Sequence, residues 1–206
     1  MNQPLSYVHP AAKIAKTVVI EPFTTIGKDV IIGEGTWIGS NVTIMEGARI
    51  GKNCLIMAYS HIAHDCKVGD NCIFSNNSTL AGHVTVGDYV TLAGMVAVHQ
   101  FCNIGRHAFI AGGSLVRKDI PPFVKAAREP LSYVGINSVG LRRRGFSSEK
   151  IREIQNIYRI LYQKKFNNTQ AINIIEAEVE ATSDRDEILV FIKDSQRGIM
   201  KGYIQN

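Results

Sequence analysis

The sequence of 206 residues contains no apolar run long enough to cross a lipid bilayer, which takes about 20 residues, so we expect no membrane-spanning helix. Residues 1–10 lack the basic start and the apolar core of a secretory signal peptide, which predicts a cytoplasmic protein. No basic segment is interleaved with aromatic residues as in nucleic-acid-binding motifs, so nucleic acid is not an expected partner. Small molecules and other proteins are left as the expected partners.

Positive charge is unevenly distributed along the chain. The formal net charge is +5 at pH 7, and the basic excess falls in residues 1–146, because residues 147–206 hold as many acidic as basic residues. The excess includes Arg117-Lys118 and Arg142-Arg143-Arg144. A modest basic surface suits a phosphorylated small molecule or an acidic protein partner.

The main positive feature of the sequence is a repeat of six residues. From Val8 to Val116, every sixth residue is Val, Ile, Leu or Phe. Four positions after each of them, from Ala12 to Ser114, the side chain is always Ala, Val, Thr, Ser or Cys. A period of six fits neither the 3.6-residue turn of a helix nor the simple alternation of a strand. It predicts a parallel β-helix that turns a corner every six residues and fills a narrow core with one large and one small residue per face.

The cysteines and many glycines fall at fixed places in this repeat. All four cysteines occupy the small-residue position, so we interpret them as buried thiols that serve packing rather than as disulfides or metal ligands. The residue after the large apolar position is often glycine, as at Gly51 and Gly69. Glycine relieves crowding at a sharp bend, and it can adopt a positive φ.

The repeat is predicted to stop at Pro121-Pro122, because proline cannot donate a hydrogen bond to a neighbouring strand. The sequence therefore divides into a β-helix over residues 1–120, an irregular exit segment over residues 121–146 and a helical domain over residues 147–206. The fold class expected is all-β plus α, with the small helical domain covering the open end of the β-helix.

Three helices are predicted in the last 60 residues. Ser147 is the expected N-cap of the first, which has an apolar stripe from Ile151 to Tyr162. The second is predicted over residues 169–181. The third is predicted to start at Ser183 and to end near Gly198.

Histidines mark one edge of the predicted β-helix. Three repeats make one coil, so residues eighteen apart lie on neighbouring coils about 4.8 Å apart. This spacing brings four of the six histidines together with an aspartate, a glycine and a glutamine. The cluster consists of His61, His64, Asp65, Gly82, His83, His99 and Gln100.

These residue types suit general base catalysis. Histidine is the side chain best able to take a proton near neutral pH. Asp65, beside His64, can fix the tautomer of the ring and stabilise its protonated form. Gly82, on the next coil, can present its N–H to a developing oxyanion. A polar ladder without chemistry and a metal site of three histidines stay open, although the hydrogen-bonding placement of Asp65 and Gln100 favours no metal.

Three segments of the cluster carry a family resemblance. They are residues 61–66 (His-Ile-Ala-His-Asp-Cys), residues 76–84 (Asn-Asn-Ser-Thr-Leu-Ala-Gly-His-Val) and residues 97–102 (Ala-Val-His-Gln-Phe-Cys). They resemble the UDP-N-acetylglucosamine O-acyltransferases, which take the first step of lipid A synthesis in Gram-negative bacteria. Residues 140–146 and the terminal helices are similar too, so the resemblance covers nearly the whole chain.

The resemblance implies a left-handed parallel β-helix that forms a homotrimer, with active sites between neighbouring subunits. The implied reaction moves an (R)-3-hydroxyacyl group from acyl carrier protein to the 3-hydroxyl of the glucosamine in UDP-N-acetylglucosamine. By this likeness His64 is the general base, Asp65 supports it, and the Gly82 N–H stabilises the oxyanion of the thioester. No cofactor and no metal ion is expected.

The resemblance also implies a set of substrate-binding residues. His61, His83, His99 and Gln100 would position the sugar nucleotide and the acyl chain. Gly112 would measure acyl length, and glycine there implies a long chain. Asn137, Arg143 and Arg144 would meet phosphate or the acidic carrier protein. The set is His61, His83, His99, Gln100, Gly112, Asn137, Arg143 and Arg144.

One part of the family pattern is absent. The family usually has extra coils and a projecting loop with a Gln-Asp-Leu-Lys-type motif before the histidine-rich coils, whereas here Cys54 runs directly into Leu55. The period of six is unbroken across this junction, so we expect the coils to stack there. Other functions remain open: another hexapeptide acyltransferase (N-acylating or acetyl-CoA-dependent), a γ-type carbonic anhydrase with histidine-bound zinc, and a scaffold without activity.

Overall fold

The computed structural model describes residues 5–163 and 166–202, with Gln163 described by its backbone alone. Residues 7–116 form two-residue strands that stack into three parallel sheets. Every strand up to Ala97–Val98 pairs with the strand eighteen residues further on, as His61 pairs with Thr79. The result is a left-handed parallel β-helix, which confirms the fold expected from the period of six.

The strands alternate among the three sheets in chain order. The first sheet contains β1 (Tyr7–Val8), β4 (Thr25–Ile26), β7 (Thr43–Ile44), β10 (His61–Ile62), β13 (Thr79–Leu80), β16 (Ala97–Val98) and β19 (Leu115–Val116). The second sheet contains β2 (Lys13–Ile14), β5 (Ile31–Ile32), β8 (Arg49–Ile50), β11 (Lys67–Val68), β14 (Thr85–Val86) and β17 (Asn103–Ile104). The third sheet begins with β3 (Val19–Ile20), β6 (Trp37–Ile38), β9 (Leu55–Ile56), β12 (Ile73–Phe74), β15 (Thr91–Leu92) and β18 (Phe109–Ile110).

The two residue ladders of the repeat form the core. The large residues are buried from Ile20 to Val116, and the small residues are buried from Val18 to Ser114. The four cysteines are free and buried within this small ladder, which confirms their interpretation as packing thiols. The second residue of each two-residue strand is the large core residue, so the first residue faces outward, where it is available for binding.

The positive φ values at the corners between sheets do not fall on the glycines that were expected to adopt them. A positive φ occurs three residues after the large core position, for example at Asp65, His83 and Phe101. The glycines directly after that position are needed for close approach instead, since a Cβ on Gly51 would lie 2.6 Å from the carbonyl carbon of Gly69. The sequence interpretation was therefore right about crowding and wrong about positive φ at these glycines.

The coils stack without interruption across the shortened region. The backbone N–H of Trp37 donates to the carbonyl oxygen of Cys54 at 2.9 Å, and the N–H of Leu55 donates to the carbonyl oxygen of Cys72 at 2.8 Å. Strand β9 accordingly pairs with β6 on one side and with β12 on the other. The prediction of continuous stacking at the Cys54–Leu55 junction is confirmed.

Residues 121–146 are more regular than the sequence indicated. Strand β20 (Val124–Ala127) continues the third sheet beside β18, and β21 (Ser132–Ile136) returns antiparallel to it. A short helix, α1 (Ser138–Arg143), follows. The expectation of an irregular segment was wrong because the two prolines end the six-residue repeat but not the sheet, which gains two longer strands.

Three further helices follow α1. They are α2 (Ser148–Gln163), α3 (Asn168–Glu178) and α4 (Ser183–Asp194), and β22 (Lys201–Gly202) then pairs with β21. Ser147 Oγ accepts from the N–H of Lys150, which confirms it as the cap of α2. The cap of α4 is Thr182 rather than Ser183, and α4 ends at Asp194 because Ser195 is extended. None of the helices in the described ranges is long and apolar enough to cross a membrane.

Candidate active site

The corners of the β-helix form three edges that run along its axis. The histidine edge, between the first and second sheets, carries His64 and His83. The aromatic edge, between the second and third sheets, carries Tyr89 and His107. The glycine edge, between the third and first sheets, carries Gly112. These assignments follow from the strand order, because each corner lies between two consecutive strands.

His64 and Asp65 form a hydrogen-bonded pair on the histidine edge. His64 Nδ1 lies 2.9 Å from Asp65 Oδ2, and both side chains are about half exposed. The hydrogen bond from His64 holds the pKa of the Asp65 carboxyl below its usual range. With Nδ1–H donating to a carboxylate, the lone pair of the ring lies on Nε2. The pair is therefore arranged as a base with an orienting partner.

Gly82 faces the basic nitrogen of this pair. A Cβ at position 82 would lie 2.6 Å from His64 Nε2 and 2.7 Å from its Cε1, so any side chain here would displace the ring. The backbone N–H of Gly82 finds no acceptor within residues 5–163 and 166–202, while the neighbouring N–H of His83 donates to the His64 carbonyl. The corner thus combines a base with a free backbone donor, the two elements that acyl transfer requires.

A column of residues eighteen apart supports the pair from the side. His83 Nε2 lies 3.9 Å from Asp65 Oδ2, and the His64 and His83 rings meet edge to face at 4.9 Å. Phe101 stacks on His83, also at 4.9 Å. On the other side, a Cβ at Gly47 would lie 2.5 Å from Asp65 Oδ1. Small and flat neighbours therefore define the space that the carboxylate occupies.

The remaining residues of the cluster line the same edge. His61 lies on β10, where its side chain faces outward and is partly buried. His99 and Gln100 are exposed one coil beyond Gly82. His99 Nδ1 lies 3.1 Å from the carbonyl oxygen of Gln100 and 3.2 Å from Arg197 Nη2. The structure therefore brings together all seven residues that the sequence assigned to this edge.

Asn137, Arg143 and Arg144 lie apart from that edge, beside the aromatic edge of the same chain. Asn137 caps α1 by accepting from the N–H of Gly140 at 3.1 Å, and its Nδ2 donates to the carbonyl oxygen of His107 at 2.9 Å. The Arg144 guanidinium lies over the Tyr89 ring at 5.2 Å, whereas Arg143 is exposed. Within one chain these residues do not converge on His64.

Gly112 lies on the third edge. A Cβ at this position would lie 3.1 Å from the Gly94 carbonyl oxygen, which is a tight contact with backbone. The neighbouring corner positions carry Ala93, Gly94 and Ala111, so this stretch of the surface has little side-chain bulk. The structure separates Gly112 from the histidine edge by the width of one sheet.

Three members of the histidine edge could also hold a cation. One ligand atom from each of His64, Asp65 and His83 lies within 4.8 Å of the other two. Imidazole and carboxylate are accepted zinc ligands. In this geometry, however, the 2.9 Å contact between His64 and Asp65 is satisfied by a shared proton. The arrangement favours a base over a metal ligand set.

Sequence reasoning missed three residues at this edge. Gly47 and Phe101 lie eighteen residues from Asp65 and His83 respectively, so the same spacing that assembled the cluster was sufficient to find them. Arg197 reaches His99 from the segment after α4, and no periodic signal connects that segment to the coils. It could be found only from the tertiary structure.

Comparisons with known proteins identify sequences and structures that this chain resembles. A family model described as UDP N-acetylglucosamine O-acyltransferase, domain 2, matches residues 119–200, and one described as the GMPPB C-terminal domain matches residues 2–101. The acyl-[acyl-carrier-protein]–UDP-N-acetylglucosamine O-acyltransferase of Herminiimonas arsenicoxydans is 41% identical over 147 residues, which cover 69% of this chain and 56% of that protein. The protein of the same name from Myxococcus xanthus is 42% identical over 108 residues, covering 52% and 42%. The chain thus spans about half the length of the curated relatives it matches.

Solved structures extend the likeness over nearly the whole chain. The UDP-N-acetylglucosamine acyltransferase of Francisella novicida is 34% identical with a TM-score of 0.77, and the alignment covers 98% of this chain and 94% of that one. The corresponding protein of Bacteroides fragilis is 36% identical with a TM-score of 0.75, covering 98% and 100%. With this identity over nearly complete chains, the protein belongs to the UDP-N-acetylglucosamine acyltransferase family.

Proposed function

We propose that this chain transfers an (R)-3-hydroxyacyl group from acyl carrier protein to the 3-hydroxyl of UDP-N-acetylglucosamine, the first step of lipid A biosynthesis. The observation that carries the proposal is the His64–Asp65 pair with Gly82 facing Nε2. The names of the curated relatives and of the solved structures support the same reaction. We place the enzyme in the cytoplasm, where a carrier-protein thioester and a nucleotide sugar would both be available.

The chemical step follows from the geometry of the pair. His64 Nε2 takes the proton of the sugar 3-hydroxyl as its oxygen attacks the thioester carbonyl carbon. The Gly82 N–H donates to the oxyanion that forms. Asp65 stabilises the protonated ring through the Nδ1–H hydrogen bond. The C–S bond then breaks, the His64 proton passes to the leaving thiolate, and the ester and the free thiol of the carrier protein are released.

The other residues of the histidine edge bind the substrates in this proposal. His61, His83, His99 and Gln100 present imidazole and amide groups beside the base, where they can orient a sugar and a phosphate. Asn137, Arg143 and Arg144 would meet phosphate or the acidic carrier protein. Gly112 would limit the length of the acyl chain.

A homotrimer would bring these separate groups to one site. Asn137, Arg144 and Gly112 lie on edges of the chain other than the histidine edge, so in a threefold assembly a neighbouring subunit would supply them. The outward residues of strands β3, β6, β9, β12 and β18 support such an assembly because they form an apolar column, which Thr91 of β15 interrupts. Val19 and Ile73 in this column are 43% and 37% exposed in the single chain. The column comprises Val19, Trp37, Leu55, Ile73 and Phe109.

The choice of acyl donor tests the proposed function. The purified protein is given UDP-N-acetylglucosamine with either an (R)-3-hydroxyacyl carrier protein or acetyl-CoA, and the products are identified by mass spectrometry. We expect the 3-O-acyl sugar nucleotide from the carrier-protein donor. Transfer from acetyl-CoA alone would support the rival hexapeptide acyltransferases, and transfer from neither donor would contradict the proposal.

A further inference from the structure

Arg197 connects the C-terminal segment to the histidine edge. Its Nη2 lies 3.2 Å from His99 Nδ1 and 3.4 Å from the carbonyl oxygen of Arg117. The guanidinium also interacts with the Cys102 thiol, whose pKa burial raises to about 11. None of the steps proposed above uses this arginine.

A buried carboxylate holds the segment that carries Arg197. Asp119 is 1% exposed, and its Oδ1 accepts from the N–H of Asn103 while its Oδ2 accepts from Ser195 Oγ, at 2.8 and 2.7 Å. The Asp119 N–H also donates to the Gly198 carbonyl at 3.2 Å. These bonds attach the chain to the last coil on both sides of Arg197. The guanidinium is therefore presented to His99 by a buried attachment rather than by a free tail.

The two contacts of His99 Nδ1 require different tautomers. A guanidinium only donates, so its contact requires a lone pair on Nδ1. The Gln100 carbonyl only accepts, so its contact requires a proton there. Charge-assisted hydrogen bonds are about twice as strong as neutral ones, and Gln100 is exposed to water that can satisfy its carbonyl. The contact with Arg197 therefore prevails.

We propose that Arg197 is a positioning residue that holds neutral His99 as the Nε2–H tautomer, so that the histidine edge offers a hydrogen-bond donor at this position. The ligand group it suits is an acceptor oxygen, such as that of a phosphate or a carbonyl. The effect on turnover rests on the proposed acyl transfer, in which His99 binds substrate.

The tautomer can be measured without any substrate. Ring-nitrogen NMR of the histidine-labelled protein above neutral pH separates Nδ1–H from Nε2–H rings, and the variant His99→Gln identifies the signal of His99. We expect Nε2–H in the wild-type protein. If the His99 ring of the wild-type protein carries its proton on Nδ1, the proposal is overturned regardless of the result for any variant.

A matched pair of variants tests the role of the arginine. In Arg197→Met we expect the His99 signal to move toward the Nδ1–H form, which can donate to Gln100, while Arg152→Met, a change of an exposed arginine on α2, leaves it unchanged. An unchanged His99 signal in folded Arg197→Met overturns the proposal. If that variant does not fold, Arg197→Lys keeps the cation, and we expect it to preserve the wild-type tautomer; a shift to Nδ1–H there counts against the proposal.

Kinetics separate this inference from the proposed function. Loss of one oriented hydrogen bond predicts that Arg197→Met raises KM for the sugar nucleotide about tenfold with little change in kcat. Equal losses in kcat and in kcat/KM would show that Arg197 does not act through substrate binding. A protein with the expected tautomer but without acyl transfer would contradict the reaction and leave the role of Arg197 intact.

Discussion

The buried His107 predicts a loss of stability in mild acid. The residue is 4% exposed, and its ring stacks on Tyr89 at 4.8 Å and on Phe123 at 5.7 Å. Burial, together with the positive charges of Arg106 and Arg144, lowers the pKa of His107 from 6.5 to about 4. The unfolded chain takes up this proton near pH 6.5, whereas the folded protein takes it up only near pH 4. The contribution to stability is therefore complete above pH 6.5 and is lost as the pH falls toward 4.

The magnitude follows from the shift. One pKa unit corresponds to about 1.4 kcal/mol, so this group removes about 2 kcal/mol from the free energy of unfolding by pH 4.5. The variant His107→Phe keeps a flat ring in the stack and removes the proton site. The His107 Nδ1 atom is buried without a hydrogen-bond partner among the described residues, so the replacement breaks no bond at that atom.

Urea unfolding at pH 7 and at pH 4.5 measures this effect. Protein concentration is kept fixed, because subunit assembly makes apparent stability depend on it. We expect wild-type protein to lose about 2 kcal/mol more than His107→Phe between the two pH values. Equal losses in both proteins would refute the assignment of a buried neutral histidine.

Three further outcomes are expected at the histidine edge. Gly82→Ala should lower kcat by about 10²-fold, measured by acyl transfer, because its Cβ would displace the His64 ring and a misplacement of about 1 Å has this effect; an unchanged kcat would contradict the geometry. Gly47→Ala should lower kcat more than Gly35→Ala, although both glycines have φ near +70°, because only the former displaces Asp65; equal effects would assign the loss to backbone strain. Purified protein should contain far less than one zinc ion per chain by metal analysis and keep its activity in a chelator, whereas stoichiometric zinc would favour a carbonic-anhydrase-type site.

The sequence was sufficient to predict the β-helix and seven residues of the histidine edge. Both depend on one strict period, so His64, Gly82 and Gln100 could be placed on successive coils by counting eighteen residues. Continuous stacking at the Cys54–Leu55 junction was predictable for the same reason. Periodicity gives position along a coil but not side-chain geometry, so the hydrogen bond between His64 and Asp65 had to be observed.

The region after the repeat was less predictable. Strands β20 and β21 were not predicted, because the prolines and the short length of these segments obscure the pattern of a strand. Their pairing depends on the exposed edge of β18. The predicted N-cap of α4 was one residue away from the observed one, because Thr182 and Ser183 are both good N-caps. Thr182 also hydrogen-bonds to Glu153. The contact between Arg197 and His99 joins residues far apart in sequence, and only the docking of the C-terminal segment creates it.

The most direct test of general base catalysis at the histidine edge is the turnover of His64→Ala with an (R)-3-hydroxyacyl carrier protein and UDP-N-acetylglucosamine. His9→Ala, which changes a histidine near the start of the β-helix, is the matched control. We expect His64→Ala to lose roughly 10²–10⁴-fold in kcat, with its assembly state and melting temperature unchanged, and the control to keep wild-type turnover. Wild-type turnover in His64→Ala would contradict the account.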